Sequence, residues 1–81
     1  MYNVGDKISF KLFSYERTAC WDNPFGITHL YRFKDFDHHI FIWKTDRIIK
    51  DNISEMSSAI VKGFEEYEGE QEIVLKYCKL A

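Results

Sequence analysis

The last part of the chain, residues 62–80, limits the fold more than any other segment. Its ends are rich in apolar and β-forming residues, and its centre is acidic, with Tyr67 and Gly69 in a Tyr-x-Gly turn. Glycine accepts the backbone conformations that a tight hairpin needs. The segment predicts a closing hairpin with strands at 58–64 and 72–80, joined by an acidic loop, residues 65–71, that turns at Gly69.

The first half of the chain predicts three further strands. Residues 6–15 alternate between apolar and polar side chains, the period of a strand with one buried face. We expect this strand to bend near Phe13 and Tyr15, where the outer face also becomes apolar. An Asn23-Pro24 pair followed by Gly26 predicts a turn. Strands at 27–34 and 39–45 then follow.

The segment between the third and fourth strands is the least regular. Thr45 and Asp46 can cap a short helix through Lys50 that ends near Asn52. Ile53 and Met56 are predicted to plug one end of the fold. The chain is long enough for one domain, residues 1–81. The predicted fold is therefore all-β: a five-stranded Greek-key barrel with a short helix or irregular plug between strands three and four.

The alignment of the second and third strands decides which side chains face outward. If Phe33 pairs with Ile40, one face is almost wholly apolar and suits the core. The other face then mixes cations with rings and is the predicted ligand-facing surface: Leu30, Arg32, Lys34, Phe41 and Trp43.

Four short motifs give the chain a family resemblance. They are Val4-Gly5-Asp6-Lys7, Tyr31-x-Phe33-x-Asp35, Phe41-x-Trp43-Lys44-Thr45 and Val61-Lys62-x-x-x-Glu66-Tyr67-x-Gly69. With the order of strands, they resemble small oligonucleotide/oligosaccharide-binding (OB) domains of phage and mobile-element proteins. The last strand departs from that family, with Glu72-Ile73 and Tyr77 where Gln-Thr and an arginine are common. The resemblance implies a small barrel that binds single-stranded DNA.

The candidate site combines stacking rings with cations. Phe41 and Trp43 lie two residues apart on one strand, a spacing of about 7 Å that suits successive stacked bases. The phosphate contacts are predicted at Arg32, Lys34, Lys11 and Lys44. The resemblance places three more aromatic residues on the loops that flank the groove of OB folds, namely Trp21, Phe25 and Tyr67. The leading hypothesis is binding of single-stranded nucleic acid with little sequence selectivity.

The charge distribution leaves two other functions open. The net charge is −2, which argues against strong attraction of a nucleic-acid backbone. Residues 1–50 contain eight Lys/Arg and six Asp/Glu, whereas residues 51–81 contain three and seven. The acidic run at 65–72 either keeps a sheet edge soluble or binds a basic protein partner, as in a phage-type accessory or inhibitor protein. Alternatively, the exposed rings form a homodimer interface.

The remaining patterns argue against other classes of protein. Cys20 and Cys78 lie far apart without CxxC spacing, which favours free thiols and a cytoplasmic location over a disulfide. No long apolar run predicts a membrane segment. We interpret five residues as solvated turn residues and not as metal ligands: His29, Asp35, Asp37, His38 and His39. No arrangement typical of catalysis or of cofactor binding is present, so we do not expect an enzyme.

Overall fold

The computed structural model describes residues 2–50 and 52–81, in which all regular structure is β. Six strands follow one another along the chain. They are β1 (Lys7–Lys11), β2 (Ser14–Asn23), β3 (Gly26–Lys34), β4 (Ile40–Thr45), β5 (Glu55–Tyr67) and β6 (Glu70–Leu80). The all-β prediction is confirmed, and the two strands of the closing hairpin are longer than predicted.

The strands form one mixed sheet in the order β1-β5-β6-β4-β3-β2. Neighbouring strands are antiparallel except β4 and β6, which run parallel and pair over only two residues each. The two edge strands, β1 and β2, do not pair with each other in the described residues, so the sheet is not closed.

The predicted first strand is divided in two at Leu12 and Phe13, which gives six strands instead of five. The backbone N–H of Leu12 donates to the carbonyl of Ser54 at 2.9 Å, whereas the N–H of Phe13 donates to the carbonyl of Lys34 at 2.7 Å. The chain thus changes partners from the β5 side to the β3 side within two residues. The predicted bend near Phe13 is confirmed.

The connection between β4 and β5 is irregular in the described residues 46–50 and 52–54, so of the two predicted alternatives the irregular segment is observed and the short helix is not. Ile49 packs against the core, and its N–H donates to the hydroxyl of Tyr31 at 3.0 Å. The Thr45 hydroxyl oxygen accepts a hydrogen bond from the N–H of Arg47 at 3.1 Å, as in an N-terminal cap, but no helix follows in the described residues. The described residues contain no helix able to cross a membrane.

The register between β3 and β4 differs from the predicted register by one residue. Phe33 pairs with Phe41, and Lys34 pairs with Ile40. Because side chains alternate along a strand, this shift moves Phe41 and Trp43 to the face of Tyr31 and Phe33. That face is the core, where these rings pack with Met56, Ala59, Val61, Ile73, Leu75 and Cys78.

Candidate functional site

The two residues predicted to stack on bases are buried. Phe41 has no exposed surface and Trp43 is 8% exposed, so the prediction that their rings project outward is wrong. The physical reason is the register, which places both rings on the core face of β4. Neither ring offers a free face on which a base can stack.

The opposite face of β3 and β4 carries a groove lined in part by Arg32, here called the arginine groove. Tyr67 and Glu72 reach it from the β5–β6 hairpin, and the remaining lining residues come from β2, β3 and β4: Thr18, Ala19, Leu30 and Ile42. Arg32 and Tyr67 are thus brought together as predicted. This is the face that the OB resemblance assigns to the ligand.

Carboxylates already surround the cation of the arginine groove. Arg32 NH2 lies 3.5 Å from Glu70 Oε2, and its Nε lies 3.6 Å from Glu72 Oε2. The Glu72 side chain is only 9% exposed, and the Nε of Arg32 is also buried, with no hydrogen-bond partner. A phosphate entering this groove would meet two carboxylates around one guanidinium. The arrangement disfavours an anionic ligand there.

The other predicted contact residues are dispersed. Trp21 is 42% exposed and Phe25 is 99% exposed; both lie on the β2–β3 hairpin, away from its base. Lys34 is exposed near the turn that follows β3. Lys11 ends β1, pairs with Glu55 of β5 and is not among the residues that line the arginine groove. The predicted contribution of Lys11 to the groove around Arg32 is therefore not observed.

A second groove lies beside the place where β4 and β6 cease to pair, here called the lysine groove. Its volume is about 400 Å³, and Trp43 forms part of its wall. The charged residues that line it are three lysines and one glutamate: Lys44, Lys62, Lys76 and Glu65. Lys44 Nζ lies 4.0 Å from Glu65 Oε1. The other two lysines are exposed and carry the positive charge of this face.

Two exposed rings belong to the lysine groove, Phe64 from β5 and Tyr77 from β6. Phe64 is 39% exposed and Tyr77 is 75% exposed. The ammonium of Lys76 lies 5.3 Å from the centre of the Tyr77 ring, within reach of a cation–π interaction. The lysine groove therefore combines exposed aromatic surface with an excess of positive charge. The arginine groove has no such excess, because its cation is paired with carboxylates.

A β-bulge exposes Tyr77. The pairing of β5 with β6 shifts between Ser58 and Ile60, opposite Lys76 to Lys79. At this shift Tyr77 has a positive φ of 54°, a conformation that costs a non-glycine residue of the order of 1 kcal/mol or more. Bulges redirect side chains and often lie beside functional sites. Here the bulge places Lys76 and Tyr77 at the surface before Cys78 returns to the core.

Sequence reasoning missed Lys62, Phe64, Lys76 and Tyr77 as site residues. A signal was present in the spacing of the apolar positions on the last strand. Leu75 and Cys78 are both buried but lie three residues apart, which a regular strand with a period of two does not allow. The odd spacing indicates an extra residue between them, and Tyr77 is the bulky candidate.

The turn between β3 and β4 contains the remaining group of titratable residues. Asp35 accepts hydrogen bonds from the backbone N–H of Asp37 at 3.0 Å and of His39 at 2.8 Å, and its second oxygen lies 2.8 Å from His39 Nδ1. Asp35, Asp37 and His39 each place a potential ligand atom within 4.8 Å of the others. The hydrogen bonds that fold the turn account for this cluster.

Two of the five residues predicted to be solvated are buried instead. Asp35 is 6% exposed because it holds the turn through these bonds, and His29 is 6% exposed within β3. The His29 ring lies beside Tyr31, and its Nδ1 is 3.4 Å from the guanidinium of Arg17. Near the same turn, desolvation raises the pKa of the Tyr2 hydroxyl, and the negative charges of Asp35 and Asp37 raise it further.

Comparison with known proteins adds no relative to these observations. A scan against protein-family models and searches of curated proteins and of solved structures gave no match to this chain.

Proposed function

We propose that this chain is a single-stranded nucleic-acid-binding domain of OB type and that it holds its ligand in the lysine groove. The observation that carries the proposal is that exposed rings and three lysines line one groove, whereas only one carboxylate is among the described lining residues. Binding of single strands without sequence preference uses these two components, stacking platforms and a positively charged groove.

The strand pairing supports an OB-type arrangement. β1 and β2 lie at opposite ends of the strand order, yet only Leu12 and Phe13 separate them along the chain. Taken as one bent strand, they bring the β5 edge and the β3 edge to the same corner of the molecule. A five-stranded, partly open Greek-key barrel has this character. The all-β fold thus agrees with the family resemblance, although the proposed ligand site lies on another face of the sheet.

Tyr77 is the stacking residue in this proposal. Its ring is the more exposed of the two, and stacking of one base on a ring contributes roughly 1–3 kcal/mol whatever the base. Phe64 adds apolar surface, and the lysines neutralise phosphates. Because three lysines release few counterions, binding is weak, and the salt dependence has a slope of about −2, close to 0.7 per phosphate contact.

The experiment is a fluorescence anisotropy titration with labelled oligothymidine at several salt concentrations. Replacing the three lysines together (K44Q/K62Q/K76Q) should weaken binding on the order of tenfold or more and should remove most of the salt dependence. The control is K11Q/K34Q, which removes two exposed lysines that do not line this groove and should leave binding nearly unchanged. Equal losses in both variants would overturn the proposal.

A protein-interaction module is the second candidate, and the arginine groove favours it. Glu70 and Glu72 surround Arg32 there, so this face attracts a basic partner more readily than a phosphate. Reversing charge with E70K should weaken such a complex. The same change should leave oligothymidine binding in the lysine groove intact, which separates the two candidates.

The predicted cytoplasmic location belongs with this proposal. Cys20 is an exposed free thiol and Cys78 is a buried one, the state expected of cysteines in a reducing compartment.

A further inference from the structure

A pocket of about 420 Å³ lies where the irregular segment after β4 passes the end of β6, and it is here called the terminal pocket. Trp43, Ile49 and Leu80 contribute apolar, mostly buried walls. Three exposed cations also line the pocket: Arg47, Lys50 and Lys79. Among the described lining residues there is no carboxylate. A pocket with apolar walls and cations around it suits an acidic segment that carries one apolar side chain.

The chain itself contains a segment of that chemistry, the hairpin tip formed by residues 66–68. Tyr67 is 55% exposed and stands between two glutamates. Glu66 and Glu68 make no ion pair within the described residues, whereas the neighbouring Glu65 and Glu70 face Lys44 and Arg32. An aromatic ring flanked by two free carboxylates complements the terminal pocket in both apolarity and charge.

The backbone presents this segment in one conformation. Tyr67 pairs with Glu70 across a two-residue turn, in which Glu68 and Gly69 have φ of 51° and 81°. Two positive φ values are the signature of the type I′ hairpin turn, whose twist matches that of the strands. The tip is therefore ordered before it meets a partner, which lowers the entropy cost of binding.

The tip and the terminal pocket lie at opposite ends of β6. The strand has 11 residues and spans about 30 Å at the usual rise, close to the longest dimension of the molecule, 36 Å. The tip of one chain therefore cannot reach its own pocket, but it can reach the pocket of another chain.

We infer that the hairpin tip of one copy docks into the terminal pocket of a second copy, with Tyr67 among the apolar walls and Glu66 and Glu68 beside the cations. The contact is heterologous, because different surfaces meet, and such contacts add copies head to tail. This inference does not rest on nucleic-acid binding, since the lysine groove uses other lysines.

Sedimentation velocity without nucleic acid tests the inference. The contact is small, so association is weak and needs concentrated protein and low ionic strength. The average mass of the wild type should rise above the 9.7 kDa of one chain with concentration, and added salt should reverse the rise. A wild type that stays at the mass of one chain under these conditions would overturn the inference.

Two variants identify the surfaces. The tip variant, E66Q/Y67A/E68Q, and the pocket variant, R47Q/K50Q/K79Q, change only exposed residues, and each alone should remain at the mass of one chain. Mixed in equal amounts, they should form a species of two chains and no larger, because one intact tip meets one intact pocket. A mixture without that species, or a single variant that associates like the wild type, contradicts the inference.

A charge exchange within one chain guards against a variant that is merely misfolded. E66K/E68K/R47E/K50E/K79E has acidic residues at the pocket and basic residues at the tip, so it should associate as the wild type does. If this folded variant, checked by circular dichroism, stays at the mass of one chain, the charge pairing is wrong.

Discussion

Phe10 of β1 stacks on Phe41 of β4, with the ring centroids 3.9 Å apart and the ring planes 12° apart. β5 and β6 separate these two strands in the sheet order, so the contact requires the sheet to curl over its own core. Phe41 also meets the edge of Tyr2 with centroids 5.7 Å apart. It is thus a central element of the core.

Phe41→Ala should reduce the free energy of unfolding by about 3–5 kcal/mol, the range for removing a buried phenyl ring. Urea denaturation measures this change. The matched control is Phe25→Ala, which removes a ring that is 99% exposed and should change stability by no more than about 0.5 kcal/mol. A stable Phe41→Ala protein that had lost oligothymidine binding would instead support an outward-facing ring.

Tyr77→Gly should separate stability from binding. Glycine accepts the positive φ at the bulge, which relieves strain in the folded state. Glycine also raises the conformational entropy of the unfolded chain, so the net stabilisation of the fold should be about 0.5–1 kcal/mol. Loss of the ring should weaken oligothymidine binding by roughly 5- to 150-fold, equivalent to 1–3 kcal/mol of stacking. Tyr77→Ala removes the ring without the relief of strain and should lose binding with no gain in stability.

Arg32→Gln should destabilise the fold by about 1–3 kcal/mol because it leaves the carboxylate of Glu72 buried without its cation. Glu70→Gln should cost less than about 1 kcal/mol, since that side chain is 61% exposed and exposed pairs contribute little. The thermal midpoints of the two variants report this difference. Adding Glu72→Gln to Arg32→Gln should restore part of the loss, and no recovery would show that the arginine acts mainly through packing.

Cys78 gives the chain an alkaline limit to its stability. Burial raises the pKa of its thiol from 9.0 to about 12, so between these values the folded state holds a proton that the unfolded state has released. The protonated thiol therefore contributes to the free energy of unfolding, and this contribution is complete below about pH 9. It is lost as pH rises toward 12, by at most about 1.4 kcal/mol per pH unit. Cys78→Val should show a flatter decline of the urea midpoint over that range.

Thiol labelling provides an independent check on the same residue. At pH 8 the native protein should react rapidly with Ellman's reagent at one thiol, the exposed Cys20, and at Cys78 only after unfolding. Two rapidly reacting thiols in the native protein would contradict the burial of Cys78.

Local patterns in the sequence predicted the strands, because alternation and turn residues act over a few neighbours. Gly69 does turn the last hairpin with a positive φ, and β3 and β4 begin within one residue of their predicted starts. The bend near Phe13 was also visible, since the outer face of the strand becomes apolar there. These features need no knowledge of which strands pair.

The candidate site was harder to predict because it depends on pairing. Phe33 opposite Ile40 and Phe33 opposite Phe41 both join two apolar residues, so the sequence offers no clear preference between registers. One step exchanges the β4 side chains that share a face with Tyr31 and Phe33. The interior of the last two strands posed a related problem. Val61, Ile73, Leu75 and Cys78 are all buried although their spacing is mixed, because bulges change the alternation partway along both strands.

Amide chemical-shift mapping with oligothymidine tests the central claim, that the ligand binds at the lysine groove. In ¹⁵N-labelled protein at low ionic strength, the largest changes should fall on Lys62, Phe64, Lys76 and Tyr77, with little change at Thr18, Arg32 and Tyr67 around the arginine groove. Changes concentrated around Arg32, or none at any oligothymidine concentration, would contradict the account.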